Sequence, residues 1–450
     1  MPLDRRQVLL GGAGAGALVA GPSAMAAERP ASAAWLSARE FGAVPDTAGD
    51  QTAALQLALD AASNARAPLF IPAGRYLCRT LTIKSGVILA GAHGATILMQ
   101  AGDGPLLTGS RVEDVILEGL TFDGAKRPLD DNQGKALLVF DAVARLSVRQ
   151  CRILQSGGDG LSLTACSGLL GQSEISGCKG AGLLSTDAKG MEISQNHVHG
   201  CADNGILIWR SSPGEDGTLV TGNRIEKIGA ASGGSGQYGN GINLFRAGAV
   251  VVAQNRISDC AYTAVRANAA SNCQIVSNSC SRMGEVAIYS EFGFEGALVS
   301  SNLVDGAASG ISITNFDKGG RLAVVQGNLV RNLVLRKKGE ARGIGISAEA
   351  DSLIVGNVVE AAPTVGIMAG WGPYLRDVTV TANVVRQCHI GIGVSVTTGA
   401  GYALITDNMI SQSANGAIRA MKHAEALGRD LAQQSSESFR NIAVFGNVAL

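Results

Sequence analysis

Apolar and polar positions along this chain recur as one phrase. An Asn is followed two residues later by an apolar residue, and nine or more residues on comes Gly-apolar-x-apolar. Residues 196–210 (N-H-V-H-G-C-A-D-N-G-I-L-I-W-R) carry it whole. It restarts at Asn223, Asn255, Asn278, Asn302, Asn328, Asn357, Asn383, Asn408 and Asn447, at intervals of 23 to 39 residues. A period of that size marks a solenoid, in which each repeat buries its apolar face only against its neighbours. Degenerate copies start near Cys151 and Ser173, where Cys and Ser replace the Asn. Upstream, short strands are predicted over 80–83, 87–90, 95–98, 115–117 and 120–122.

Strand side chains alternate, so residues one and three after the repeat's Gly (or Ala) face one way and residues two and four the other. The first set is almost all apolar, from Ile206/Ile208 through Ile288/Ser290 to Ile418/Ala420, and is predicted to form the core. The second set changes from coil to coil. It runs Leu207/Trp209, Asn243/Phe245, Arg266/Asn268, Tyr289/Glu291, Ser312/Thr314, Ser347/Glu349, Met368/Gly370, Gly393/Ser395 and Arg419/Met421. These pairs should climb the outer face at one strand spacing per coil, about 4.8 Å. Just beyond them lie Arg210, Arg246, Asn315-Phe316-Asp317, Asp351 and Trp371. The repeated Asn reads as structural: Asn tolerates the left-handed conformation, and stacked Asn side chains can bond from coil to coil.

Before the array, Ala54, Leu55, Ala58, Leu59 and Ala62 recur at helical spacing, with Asp50 as the expected N-cap. Phe41-Gly42-Ala43 precedes this helix, and a strand over 68–71 leads into Pro72-Ala73-Gly74-Arg75-Tyr76. The order F-G-A, a D-x-T-x-A-x-Q helix, then P-x-G-x-Y resembles the opening of pectate-lyase-like proteins. The resemblance implies an all-β fold: a right-handed, single-stranded parallel β-helix with the N-terminal helix plugging its open end. An uncapped solenoid would expose core and strand edge together.

The N-terminus carries Arg5-Arg6, a Gly/Ala-rich apolar run and Ala24-Met25-Ala26, which resemble a twin-arginine export signal with its cleavage site. The chain as a whole is similar to twin-arginine-translocated repeat proteins of the pectate-lyase-like superfamily, a group whose activity is uncharacterised. Expected organisation is a signal over 1–26, an extension and capping helix over 27–66, and β-helix over 67–450. Loop insertions fall near 229–240, 335–342, 370–377 and 421–440, the last partly helical or mobile. The expected location is periplasmic or secreted, with no stable membrane insertion after signal cleavage.

Composition narrows the partners. Sixty Gly, 4 % aromatics and 16 % charged residues fit short strands and tight turns rather than a helical bundle. Thirty-seven basic and 37 acidic residues cancel, and no basic run appears, so nucleic acid is not an expected partner. Nine cysteines cannot all pair. Cys178, Cys201, Cys260 and Cys388 share one register of the repeat and read as small buried hydrophobes.

The resemblance implies a polysaccharide or oligosaccharide held along an outer sheet. It does not bring a mechanism, because the polygalacturonase motifs and the D-P-H-D of alginate epimerases are absent. Gly157-Gly158-Asp159-Gly160 keeps one Asp of the paired-Asp segment. No cofactor is expected, and calcium has no supporting carboxylate cluster. From the residues alone, the catalytic candidates are Arg266, Tyr289, Glu291 and Glu349. Glu291 and Glu349 are two coils apart, about 9.6 Å, against roughly 6.5–9.5 Å between the carboxyls of inverting glycosidases. Alternatively Arg266 neutralises a uronate while Tyr289 moves a proton, as a lyase requires. Trp209, Arg210, Asn243, Phe245, Arg246, Asn268 and Trp371 are the substrate-binding candidates. Asp159, His197, His199 and Asp203 form a weaker metal-like set with no third ligand fixed by spacing. Two functions remain open: a polysaccharide hydrolase or lyase, and a non-catalytic glycan-binding or cell-envelope scaffold protein.

Overall fold

The computed structural model describes residues 34–130, 135–314, 320–335, 342–433 and 439–450. The export signal, Asn315-Phe316-Asp317 and most of the 335–342 insertion lie outside them. The chain coils as a right-handed parallel β-helix. Its described strands sort into three sheets of 16, 15 and 15 strands, parallel except for the last pair of the second, and each sheet takes every third strand of the chain between its ends. Strands of the second sheet, such as Asn204–Glu215, Val265–Asn268 and Val286–Glu291, begin at or next to the repeat's Gly or Ala. The residues one and three after it are buried in every aligned coil, and one continuous core runs the length of the solenoid.

Stacked Asn residues mark the corner that enters the third sheet. The backbone N–H and side-chain amide of Asn278 both donate to Asn302 Oδ1, at 2.9 and 3.1 Å. Asn302 repeats both bonds to Asn328, and its amide also donates to the Ile275 carbonyl at 2.9 Å. The left-handed residue is not the Asn, as expected, but the one before it: Gln195, Gly222, Gln254, Ser277, Ser301 and their equivalents have φ near +60°. The kink there turns the chain and leaves the Asn amide aligned with the stack. The repeat's Gly is required by close approach. A Cβ on Gly205 would lie 2.3 Å from the Gly241 carbonyl oxygen, and one on Gly310 2.2 Å from that of Gly345. Cys178, Cys201, Cys260 and Cys388 pack against the equivalent Gly160, Gly182, Gly241 and Gly366, and all nine cysteines are buried and unpaired. Burial pushes the Cys151 and Cys280 thiols up to about 12.

The helix Thr52–Ala65 buries Leu55, Ala58, Leu59 and Ala62 on the first coils. Asp50 accepts the Thr52 N–H at 2.9 Å. Leu36–Ser37 already pairs with the first sheet, upstream of the helix. Two expected loops are strand in part. Arg376 and Asp377 open the strand Arg376–Thr381. Residues 418–427 form an antiparallel hairpin, Ile418–Lys422 with Glu425–Leu427, turning at the left-handed His423. That hairpin closes the end of the second sheet where a partly helical segment was expected.

Candidate functional site

The outer face of the second sheet has the register read from the alternation. Asn243, Arg266, Tyr289, Ser312, Ser347 and Met368 are successive partners along one row. Trp209, Phe245, Asn268 and Glu291 are successive partners along the other. Strand alternation therefore brings residues from distant repeats onto one surface without any local motif.

Arg266, Tyr289, Glu291 and Glu349 line one cleft of about 330 Å³. Arg266 is 8 % exposed, Glu291 1 % and Glu349 3 %. Arg266 meets Glu291 as a bidentate pair, Nε to Oε1 at 2.7 Å and Nη2 to Oε2 at 2.8 Å. Its remaining nitrogen, Nη1, donates to Ser235 Oγ at 3.1 Å and lies 3.5 Å from Glu285 Oε2. Burial works against the guanidinium charge, and the Glu291 carboxylate more than offsets it, so the Arg266 pKa is raised. Asn268 Nδ2 also donates to Glu291 Oε1 at 2.9 Å. Three of the five Arg266 N–H groups are thereby engaged, and both Glu291 oxygens accept from it. The pair holds the cleft's wall, because removing one partner would leave a buried charge. Tyr289 lies under Arg266, whose guanidinium carbon is 4.7 Å from the ring centroid. Burial, and then the Glu291 carboxylate, push the Tyr289 phenol above its ordinary value, so it carries its proton at neutral pH.

A second chamber, about 510 Å³, adjoins the first and shares Arg266, Glu291 and Phe292 with it. Trp209, Asn243, Phe245 and Asn268 line it. Trp209 and Phe245 meet edge to face at 5.9 Å, and Trp209 Nε1 donates to Asn243 Oδ1 at 3.2 Å. The insertion over 229–240 walls this chamber with Ser235, Gly236 and Gln237. It is pinned by Asn243 Nδ2 donating to the Gly236 carbonyl at 3.0 Å, and by Ser232 N–H and Oγ donating to Asp203 at 2.8 and 2.7 Å. Arg210 and Arg246 do not line it. A bulge between Trp209 and Gly214 carries Arg210 out of register. Arg246 stacks on Phe245, 4.7 Å from its centroid, and donates to the Ser211 carbonyl at 3.1 Å.

Trp371 stands at the other end of the first cleft. One face is already covered: Arg342 lies 3.8 Å over the ring centroid. The indole packs on an apolar cluster of Ile344, Val365, Met368, Ile390 and Met421. From Trp209 to Gly370 the face spans six strand steps, about 29 Å.

The metal-like set does not converge. His197 and His199 lie on the third sheet and face Glu226 at 3.1 Å and Glu174 at 3.2 Å. Asp159 accepts from the Ala181 N–H, and burial pushes its carboxyl up. Asp203 anchors the insertion. Among the described residues, no three His, Cys, Asp or Glu side chains form a group able to hold a metal. Asp351, expected beside the ladder, forms a surface pair with Arg376 at 2.8 and 2.6 Å.

Sequence reasoning missed Glu285, Ser235, Phe292 and Arg342. Glu285 precedes its strand and Phe292 follows it, so neither falls on the alternating positions. Phe292 is left-handed, φ 60°, at the same turn position as Arg246, and 39 % exposed between the two chambers. That turn position, five residues after the repeat's Gly or Ala, was the available signal.

A right-handed parallel β-helix with a walled groove along one outer sheet defines the class. Residues 35–262 match the family described as rhamnogalacturonase A/epimerase, pectate lyase-like, and the chain belongs to it. Residues 227–424 match the periplasmic copper-binding protein (NosD) family. Among the described residues there the thiols are buried and unpaired, and no three His, Cys, Asp or Glu side chains form a group able to hold a metal ion. No curated protein matches the sequence. Among solved structures, an alginate lyase of the PL6 type, in complex with a trisaccharide, is 12 % identical over 93 % of this chain and 96 % of its own, with a TM-score of 0.50. The N-terminal fragment of bacteriophage phi29 gene product 12 is 16 % identical over 85 % of this chain and 68 % of its own, with a TM-score of 0.50. The A-module of the Azotobacter vinelandii mannuronan C-5 epimerase AlgE6 is 16 % identical over 92 % and 99 %, with a TM-score of 0.49. At these identities the likeness is one of fold. Among the described residues, no helix is long and apolar enough to cross a membrane.

Proposed function

We propose that this chain is an exported carbohydrate-active protein, carried by the twin-arginine route, that takes a polysaccharide strand along the outer face of its second sheet. The observation behind this reading is the pair of adjoining chambers, one aromatic and one lined by buried charge, sharing a fixed wall. Aromatic faces receive sugar rings, and buried polar groups orient them. In the cleft, protonated Tyr289 gives a proton and Glu349 takes one, which either hydrolysis or β-elimination needs. Arg266 and Glu291 are positioning residues.

The alternative is a non-catalytic glycan-binding or envelope-scaffold protein. The closed Arg266–Glu291 pair favours it, since two of the four charged or phenolic groups are spent on each other. Incubating the exported protein with neutral and acidic glycans separates the two. The enzyme reading expects new reducing ends or unsaturated products, abolished in Tyr289→Phe and Glu349→Gln with binding retained. Binding without turnover in any protein selects the scaffold. No binding to any glycan removes both.

A further inference from the structure

Two side-chain amides line the aromatic chamber, Asn243 and Asn268, and the bonds they already make decide which of their atoms a ligand can use. Asn268 Nδ2 donates to Glu291 Oε1 at 2.9 Å. A carboxylate paired with Arg266 only accepts, so the amide has to turn its NH2 that way. Asn268 Oδ1 then faces away from Glu291, and no described group donates to it. Asn243 is buried and oriented at both ends. Its Oδ1 accepts from Trp209 Nε1 at 3.2 Å, and its Nδ2 donates to the Gly236 carbonyl at 3.0 Å, which leaves one N–H of Nδ2. The chamber thus offers one fixed acceptor and one fixed donor. Phe245 follows Asn243 by two residues on its strand and is the partner of Asn268 across the sheet, so the two amides are diagonal neighbours. One strand spacing and two residues of rise separate them by about 8 Å. A trans amide with a hydrogen bond at each end spans about the same length, ~8 Å. Half-buried Trp209 and Phe245, edge to face at 5.9 Å, supply the apolar wall beside them.

We infer that this chamber takes the acetamido group of an N-acetylated amino sugar. This rests on the glycan reading above and deepens it. The acetamido N–H donates to Asn268 Oδ1, its carbonyl accepts from Asn243 Nδ2, and its methyl packs on Trp209 and Phe245. A hydroxyl at the same ring carbon has a single oxygen, which cannot reach both amides, and it brings no methyl to the aromatic wall. An ammonium there only donates, so it satisfies Asn268 and sets a cation against the Asn243 N–H. A site built for two hydrogen bonds rejects a ligand that leaves one of its polar groups unpaired.

The test is calorimetric titration of the exported protein with tetramers of chitin, cellulose, chitosan and galacturonan. The first three share backbone and linkage and differ only in an acetamido, hydroxyl or amino group at one ring carbon. The inference expects the chitin tetramer to bind at least about tenfold more tightly than the other three. In nuclear magnetic resonance, saturation passed from the protein should be strongest at its acetyl methyl, the group against the aromatic rings. Asn268→Ala should bring the chitin and cellulose tetramers to within about threefold of each other, since both still meet the aromatic wall. Any of the other three bound as tightly as the chitin tetramer overturns the inference while leaving the glycan groove standing. An acetyl methyl that receives no more saturation than the ring protons also overturns it, and needs no variant. An unchanged ratio in folded Asn268→Ala overturns the contact assigned to that amide. No binding by any tetramer removes the groove reading and the inference together.

Discussion

Two rows of side chains run along this solenoid at the same spacing, and they behave in opposite ways. The Asn row repeats one residue from Asn196 to Asn447, and each amide as far as Asn408 donates to the next Asn and to a backbone carbonyl of the coil before. The outer row of the second sheet changes residue at every coil, so its members pair sideways, stack, or point into a cleft. Repetition satisfies hydrogen bonds, whereas variation leaves groups that a ligand can use. The solenoid sets the spacing of both rows, and chemistry is confined to the one that does not repeat.

The largest expected effect comes from breaking the repeated row. Asn302→Ala strands the buried Asn278 backbone N–H, takes one acceptor from the Asn278 amide and removes the bonds its own amide makes to Asn328 Oδ1 and the Ile275 carbonyl, at a cost of roughly 5 kcal/mol. Ser347→Ala, on the outer row, removes one hydroxyl bond at 3.2 Å and should cost less than about 1 kcal/mol. Denaturant unfolding of the two variants measures the contrast directly. Equal costs would mean that the rows do not differ as described.

Next in size is Arg266→Met. It leaves Glu291 and Glu285 buried without their cation and should destabilise by about 4 kcal/mol. Adding Glu291→Leu should recover part of that loss, because no charge then remains unpaired at that position. If the single and double variants unfold alike, the pair is not a coupled wall.

The smallest effect sharpens the comparison from outside both rows. Asp216 is 4 % exposed, and neither carboxylate oxygen meets a donor in good geometry. Burial pushes its pKa up, and nearby Thr218 and Arg210 offset only part of this. The folded state thus binds the proton more tightly than the unfolded chain. The favourable contribution is full below about pH 4 and is lost as pH rises through the raised folded value. Asp216→Asn should therefore raise the melting temperature at pH 7, by the equivalent of about 1 kcal/mol, with the gain vanishing below about pH 4. A gain that persists at pH 3 would assign the effect to something other than ionisation.

Much of this arrangement was legible before any coordinates. The period announced the solenoid, and strict alternation gave the register of Arg266, Tyr289 and Glu291 because side chains on a strand have only two faces. Three kinds of feature were not legible. Pairing was hidden, since the sequence places Arg266 beside Glu291 but cannot say that they consume each other. Turn residues were hidden: Glu285 and Phe292 enter the cleft from strand ends, where alternation no longer applies. Ser235 reaches Arg266 only because the 229–240 insertion folds back, which depends on Asp203 and Asn243 at distant positions. The first strand of the 418–427 hairpin was legible from the alternation at Ile418–Met421, but its second, inside the stretch 421–440 read as partly helical or mobile, was not, because it is only three residues long.

The central claim is that the unrepeated outer row is a glycan groove, and its two outermost tryptophans can report on it. The chain has three Trp, so Trp35→Phe leaves Trp209 and Trp371 at the two ends of the groove. Titrating that variant with neutral and acidic hexasaccharides should shift its tryptophan emission saturably with at least one of them, and Phe245→Ala should weaken that apparent affinity by about tenfold or more. Emission unchanged by every glycan up to millimolar concentration, with the protein folded, would contradict the account.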